Sequence, residues 1–235
     1  MTTEPILLVH GAWCDAGAWG RVPALLRAAG HEVIVPTLPG QAAHPDPASV
    51  GLDEIAAALA RAIGPGRRAR VVGHSLGGMA IAALAEHAPE RVASLIWLCA
   101  FLPQDGDSAT TLMARQPPTI APAIRRTEWK GGSRLDPALA LPVLAQDLTG
   151  AEAEAFAASL VPQPNRPQTE PLRRTPATAG IPRHYLLCTR DRAITPALQR
   201  AMAEAGDTPI TPLDADHFPQ RAQPEALTAA LLPLL

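Results

Sequence analysis

The chain predicts an α/β domain built on a mostly parallel sheet with helices on both faces. Short β-branched apolar runs recur along its length, and stretches with apolar residues at helical spacing lie between most of them. The runs are nearly continuous in apolar character, as a sheet covered on both faces requires. At 235 residues the chain can close one sizeable core without dividing in two.

The elements follow in order. PILLVH reads as the first strand and AWGRVPALLRAAG as the helix after it, stopped by Gly30. HEVIVP is the second strand, followed by the helix GLDEIAAALARAIG, stopped by Gly64. RARVVG leads through a sharp turn into LGGMAIAALAEHA, an alanine-rich helix that Pro89 ends. SLIWLC is the fourth strand. After an insertion come RHYLLCT, the helix TPALQRAMAEAG, the weaker strand TPITPL and the C-terminal helix QPEALTAALLPLL. There is no internal repeat. The alternation is that of a sheet with helical crossovers.

The rhythm breaks over residues 103–181, where prolines are dense and the helical pieces DPALALPVLAQDL and TGAEAEAFAASLV are short. Leu139, Val143, Leu144, Phe156 and Leu160 recur within it at helical spacing, which argues for a segment folded onto the body. The expected organisation is one domain over 1–235, with a core of 1–102 and 182–235 and a helical cap over 103–181.

Composition excludes several classes of function. A net charge of −2 with scattered Lys and Arg offers no footprint for nucleic acid or an anionic membrane. The start MTTEPILLVHGAW has no charged leader ahead of a long apolar segment, and no run approaches a bilayer's thickness, so a soluble cytoplasmic protein is expected. Cys14, Cys99 and Cys188 are odd in number and far apart, which suggests free thiols rather than a disulfide framework or a zinc site. No metal or cofactor is implied. A small neutral molecule is the expected partner, and a homodimer is compatible with the sequence.

One turn stands out chemically. In RVVGHSLGGM, Gly73, Ser75 and Gly77 match G-x-S-x-G, in which a serine on a strained strand-to-helix elbow is held at the edge of a sheet with its hydroxyl free. The glycines are needed because a Cβ there would meet the neighbouring strand and helix. A serine hydroxyl near neutral pH also needs a base, and the base needs a carboxylate. His31, His44, His87 and His184 read as surface or structural residues, His74 as a support of the turn and His10 as a loop former. His217, in LDADHFPQRAQPEAL between the last strand and the last helix, is left as the base. Asp191 in YLLCTRDRAITP lies just past the penultimate strand, at the carboxyl edge where loops gather. It is the preferred acid; Asp105 and Asp107 are alternatives at the same edge, and Asp214 and Asp216 stand too near His217 in sequence.

Acyl transfer also needs fixed donors for an oxyanion. The elbow offers the N–H of Leu76, and the glycine-bearing turn in LLVHGAWCDAGAW offers that of Ala12. Gly11, Trp13, Phe101, Trp129 and Phe218 are expected around the substrate, while Trp19 reads as packing.

Taken together, LLVHGAW, GHSLGGM, TRDRAITP and DADHFP resemble the α/β-hydrolase fold, and within it the compact branch of methylesterases, plant-type carboxylesterases and hydroxynitrile lyases. The resemblance runs from near residue 5 to the C-terminus and is weakest in the cap. It implies Ser75 as nucleophile, His217 and Asp191 as its partners, and Ala12 and Leu76 as oxyanion donors. The expected activity is a carboxylesterase-type serine hydrolase acting through an acyl-enzyme on a small to medium apolar ester. Two other functions suit the same fold, cleavage of cyanohydrins by the same triad and binding of a small ligand without turnover. Plant-type hydroxynitrile lyases carry a lysine after the histidine, whose charge holds the departing cyanide; this chain has Phe218 there, with Arg221 as the nearest cation in sequence.

Overall fold

The computed structural model describes residues 4–41 and 44–235. The chain enters through β1 (Ile6–Val9), α1 (Val22–Ala28), β2 (Val33–Ile34), α2 (Leu52–Ile63), β3 (Ala69–His74), α3 (Gly77–His87) and β4 (Val92–Leu98). The connection from β4 then carries α4 (Ala109–Met113), β5 (Ile124–Arg126), β6 (Gly132–Leu135), α5 (Pro137–Leu144), α6 (Gly150–Ala158), β7 (Gln163–Pro164) and α7 (Arg166–Thr169). The chain returns through β8 (Arg183–Cys188), α8 (Pro196–Ala205), β9 (Ile210–Leu213), α9 (Pro219–Ala222) and α10 (Pro224–Leu231).

Six of these strands form one parallel sheet in the order β2-β1-β3-β4-β8-β9. Alternate residues feed opposite layers because successive side chains on a strand point to opposite faces. Ile6 and Leu8 pack with Val22, Leu26, Leu227 and Leu231 of α1 and α10, whereas Leu7 and Val9 join Leu59, Ile81 and Met202 of α2, α3 and α8. Both faces are therefore covered, which is why the strands carry so few polar residues. Chain reversal at β1/β3 leaves the loops after β1, β3, β4, β8 and β9 at one carboxyl edge, the position where open α/β sheets gather ligands.

The connection between β4 and β8 is more than the helical cap expected. It also builds an antiparallel sheet in the order β5-β6-β7. Its own apolar cluster joins Ile120, Leu135, Leu144, Leu148 and Phe156 to Trp13 and Phe218 of the core loops, so the insertion is docked onto the carboxyl edge. Among the described residues no helix is long and apolar enough to cross a membrane, and Cys14, Cys99 and Cys188 are buried free thiols.

Candidate active site

β3 delivers the chain to Ser75, which adopts a φ of +54°. A side chain other than glycine there costs roughly 1–3 kcal/mol. Neighbouring backbone holds it: the Ser75 N–H donates to the Leu98 carbonyl at 3.3 Å, and its own carbonyl accepts from Gly78 at 3.0 Å and Phe101 at 3.1 Å. Gly77 is obligatory by close approach, since a Cβ on it would stand 2.7 Å from the Val9 carbonyl oxygen. Gly11 is too, because its Cβ would lie 2.8 Å from that of Ser75. The loop after β1 thus runs directly against the elbow, with no room for a side chain between them.

His217 comes to the same point from the loop after β9. Its Nε2 lies 3.0 Å from Ser75 Oγ, and its Nδ1 lies 2.7 Å from Asp191 Oδ2. Both side chains are buried, His217 at 2% exposure and Asp191 at 4%. A buried carboxylate keeps its charge only when its lone pairs are used. Here Oδ1 accepts from the N–H groups of Ala193 at 2.7 Å and Ile194 at 3.0 Å, and Oδ2 also accepts from Gln199 Nε2 at 2.9 Å. Asp191 therefore presents a fixed charge to the imidazole, which orients the ring with Nε2 toward the serine.

Two further histidines brace these loops. His74 is buried and donates from Nε2 to the His217 carbonyl at 2.7 Å, so its proton sits on Nε2 and Nδ1 accepts from Gln220 Nε2 at 3.3 Å. Burial first, then the nearby His217, holds its pKa well below the ordinary value. His10 is likewise buried: its Nε2 accepts from the Leu38 N–H at 3.0 Å while Nδ1 donates to the Gly11 carbonyl at 2.9 Å. Burial lowers its pKa to about 4. Both rings are neutral supports. Asp216 stabilises the histidine loop from its other side, accepting from Phe218 N–H at 2.8 Å and from Asp147 N–H of the insertion at 3.1 Å.

A cavity of about 260 Å³ opens above Ser75. Ala12, Trp13, Leu76, Phe101 and His217 form its core wall, Ala193 and Ile194 come from the acid loop, and the insertion supplies Ala109, Thr110, Met113, Ile120, Ala121, Ile124, Leu144 and Gln168. Neither the Ala12 nor the Leu76 N–H donates to a backbone or side-chain acceptor among the described residues, and both residues border the cavity beside Ser75. Two unengaged backbone donors next to a nucleophile-base pair are what the tetrahedral intermediate of acyl transfer needs.

The profile of the Alpha/beta hydrolase family matches residues 6–231. The chain belongs to this family. It is 30% identical over 249 residues to a pyrethroid hydrolase of Sphingobium wenxiniae, a match covering 98% of this chain and 87% of that protein. A probable esterase of rice, Oryza sativa subsp. indica, is 43% identical over 104 residues, but that match spans only 42% of this chain and 38% of the rice protein. Among solved structures, a pyrethroid hydrolase from Sphingobium faniae JZ-2 superposes with a TM-score of 0.89 at 27% identity, covering 98% of this chain and 96% of that one.

In this alpha/beta hydrolase the structure brings Ser75, His217 and Asp191 into one hydrogen-bonded line, with Ala12, Leu76, Trp13 and Phe101 around the cavity. The other carboxylates are engaged elsewhere. Asp107 accepts from the Gln104 N–H at 2.9 Å and pairs with Arg115, Asp105 accepts from the Arg174 N–H at 2.9 Å, and Asp214 is an exposed partner of Arg190. Three residues expected at the pocket do not line it. Gly11 lies beneath Ser75 and His74. Trp129 stacks over Gly132 in the turn between β5 and β6. Phe218 is 2% exposed and packs its ring edge-on against Phe156 at 4.6 Å and His74 at 4.7 Å, because its N–H is pinned by Asp216 and the ring is turned into the cluster beneath the insertion. Conversely, sequence reasoning missed the insertion's lining residues, whose only signal was apolar spacing with no chemistry attached.

Trp13 is held entirely by the insertion. Its N–H donates to Gln163 Oε1 at 3.3 Å, its carbonyl accepts from Val161 N–H at 2.9 Å, and its indole N–H donates to Ser133 Oγ at 3.2 Å. These bonds maintain a φ of +56° next to Ala12. His74, Cys99 and His217 also carry donor atoms within 4.8 Å of one another. Those atoms are already occupied: His74 Nε2 and Cys99 Sγ face the His217 carbonyl, and both His217 nitrogens are taken by Ser75 and Asp191.

Proposed function

We propose that this chain hydrolyses small to medium apolar carboxylic esters through an acyl-enzyme on Ser75. The observation that carries the reading is the 3.0 Å contact between Ser75 Oγ and His217 Nε2 at the floor of an apolar cavity. His217 takes the serine proton as Oγ attacks the ester carbonyl, and Asp191 stabilises the imidazolium that forms. Negative charge moves onto the carbonyl oxygen, where the Ala12 and Leu76 N–H groups receive it. His217 then protonates the departing alcohol. Water repeats the sequence on the acyl-serine, with His217 as base, and releases the acid. The naming of similar proteins as esterase and pyrethroid hydrolase supports the same chemistry.

Cyanohydrin cleavage by the same residues is disfavoured by charge. Among the described residues no Asp, Glu, Lys or Arg side chain lines the cavity, and a cyanide ion leaving there would be desolvated with only the His217 imidazolium to meet it. Arg221 lies outside, against Gly20 and the Gly17 carbonyl. The test is a pre-steady-state assay with phenyl and naphthyl esters beside a cyanide assay with mandelonitrile. Ester turnover with a burst of alcohol, lost by about 10⁴-fold in Ser75→Ala with the circular-dichroism spectrum unchanged, is the expected result. Cyanide release that outpaces ester hydrolysis and depends on Ser75 would overturn the reading.

A further inference from the structure

Four of the residues that line the cavity have polar side chains: Ser75, Thr110, Gln168 and His217. Ser75 and His217 bond each other. Thr110 donates its hydroxyl proton to the Gln168 carbonyl oxygen at 3.0 Å. The amide of Gln168 is the exception, since it makes no hydrogen bond with any side chain or backbone group among the described residues.

The segment that carries this amide is fixed. Pro167 is buried, the Gln168 N–H donates to the Asn165 carbonyl at 3.0 Å, and Arg166 donates to the Ser49 carbonyl at 2.8 Å. Glu170, just beyond, accepts from the Leu52 N–H at 3.0 Å. Together with the Thr110 bond, these contacts tie α7 to α4 on one side and to the start of α2 on the other. The Gln168 backbone is therefore positioned before any ligand arrives, which limits the region its amide can reach.

An entirely apolar substrate filling this cavity would strip water from the amide and return nothing. A substrate with an oxygen at that wall would replace the lost water bonds, and sites with a committed polar group reject analogues that cannot satisfy it. We propose that the Gln168 amide turns into the cavity and selects esters carrying a second oxygen function, a ketone or ether oxygen, at the end remote from the scissile carbonyl. The amide N–H donates to that oxygen while Ser75 and the Ala12 and Leu76 N–H groups handle the reacting carbonyl. The inference rests on the reading of Ser75 as an ester-cleaving nucleophile, and it adds that the favoured class is the oxo- or alkoxy-ester rather than the simple alkyl ester.

The experiment uses two isosteric pairs, phenyl 5-oxohexanoate with phenyl 5-methylhexanoate, and 4-acetylphenyl butyrate with 4-isopropylphenyl butyrate. The first pair places the oxygen on the acyl side and the second on the alcohol side. Hydrolysis of none of the four by the wild-type chain would overturn the esterase reading itself. Given hydrolysis, the quantity read is the ratio of kcat/KM for the oxygen-bearing member to that for its isostere, in wild type and in Gln168→Leu. In at least one pair that ratio should fall by about 5- to 10-fold in the variant, the worth of one neutral hydrogen bond. A general packing defect would lower both members together and leave the ratio where it was. Equal ratios in wild type and variant for both pairs would overturn the proposal.

Discussion

The acid loop and the loop after β1 flank the same serine but are held in opposite ways. Asp191 takes three of its hydrogen bonds from residues within its own loop and the helix that follows, Ala193, Ile194 and Gln199. Trp13 takes its contacts from Ser133, Val161 and Gln163, across sequence separations of 120 to 150 residues. The insertion does reach the acid loop, where Gln116 and Thr119 donate to the Ala193 carbonyl, each at 2.7 Å. Yet the carboxylate's own donors are local. The Ser75–His217–Asp191 line is thus a property of the core, while the loop bearing Ala12, proposed above as an oxyanion donor, depends on how the insertion docks. Changes in the insertion can alter charge stabilisation without disturbing the serine or its base.

The largest effect should fall on the core side. Asp191→Asn is expected to lower kcat by about 10³–10⁴-fold on a phenyl ester, because the imidazole loses the group that fixes its tautomer and stabilises its cation. Asp107→Asn removes a contact to Gln104 and Arg115 and should cost at most a few-fold by the same steady-state measurement. Were Asp107→Asn the more damaging of the two, the local acid loop would not be the source of the carboxylate.

Acid should act next, at the start of the loop after β1. His10 is neutral in the fold with a pKa of about 4 against an ordinary 6.5, so the unfolded chain binds the proton more readily. Stability from this group is complete above the ordinary value and falls as pH drops from there toward 4. The full loss is on the order of 3 kcal/mol. His74, lowered in the same direction, adds to it. Urea midpoints should therefore decline between about pH 7 and about pH 4, and His10→Gln should flatten the curve. An unchanged slope in that variant would remove His10 from the account.

The smallest effect tests the insertion. Gln163→Leu removes the acceptor of the Trp13 N–H and should lower kcat by about tenfold, less than outright loss of an oxyanion donor, with KM little changed. A trifluoromethyl ketone, which forms an oxyanion on Ser75, should lose affinity in parallel. Ser133→Ala should shift Trp13 fluorescence with a weaker kinetic effect. A Gln163→Leu variant whose ketone affinity is unaltered would make the docking of Trp13 irrelevant to charge stabilisation.

Local patterning carried the core. ILLV, VVG and LIWL state their burial on both faces in every residue, and G-x-S-x-G names a backbone conformation that only a few residues can occupy, so the six-stranded sheet and the elbow at Ser75 were legible. His217 and Asp191 were legible because the loops that carry them follow strands of that same sheet and must end at the same edge. The insertion was not. Its strands are short, and β7 includes Pro164, a residue that argues against a strand in any local reading. Phe218 and Trp129 show the limit most clearly, since both are aromatic and both are turned away from the cavity. The direction of such a ring is set by which apolar surface it can cover, Phe156 and His74 for one and Gly132 for the other. The sequence by itself determined the sheet, the elbow and the loops that carry Ser75, Asp191 and His217, because each is written in a short run of neighbouring residues. Tertiary structure alone decided which residues wall the cavity and how Trp13 is held, because those contacts join segments far apart in the chain, 120 to 150 residues for the Trp13 bonds to Ser133 and Gln163, and no local pattern encodes them.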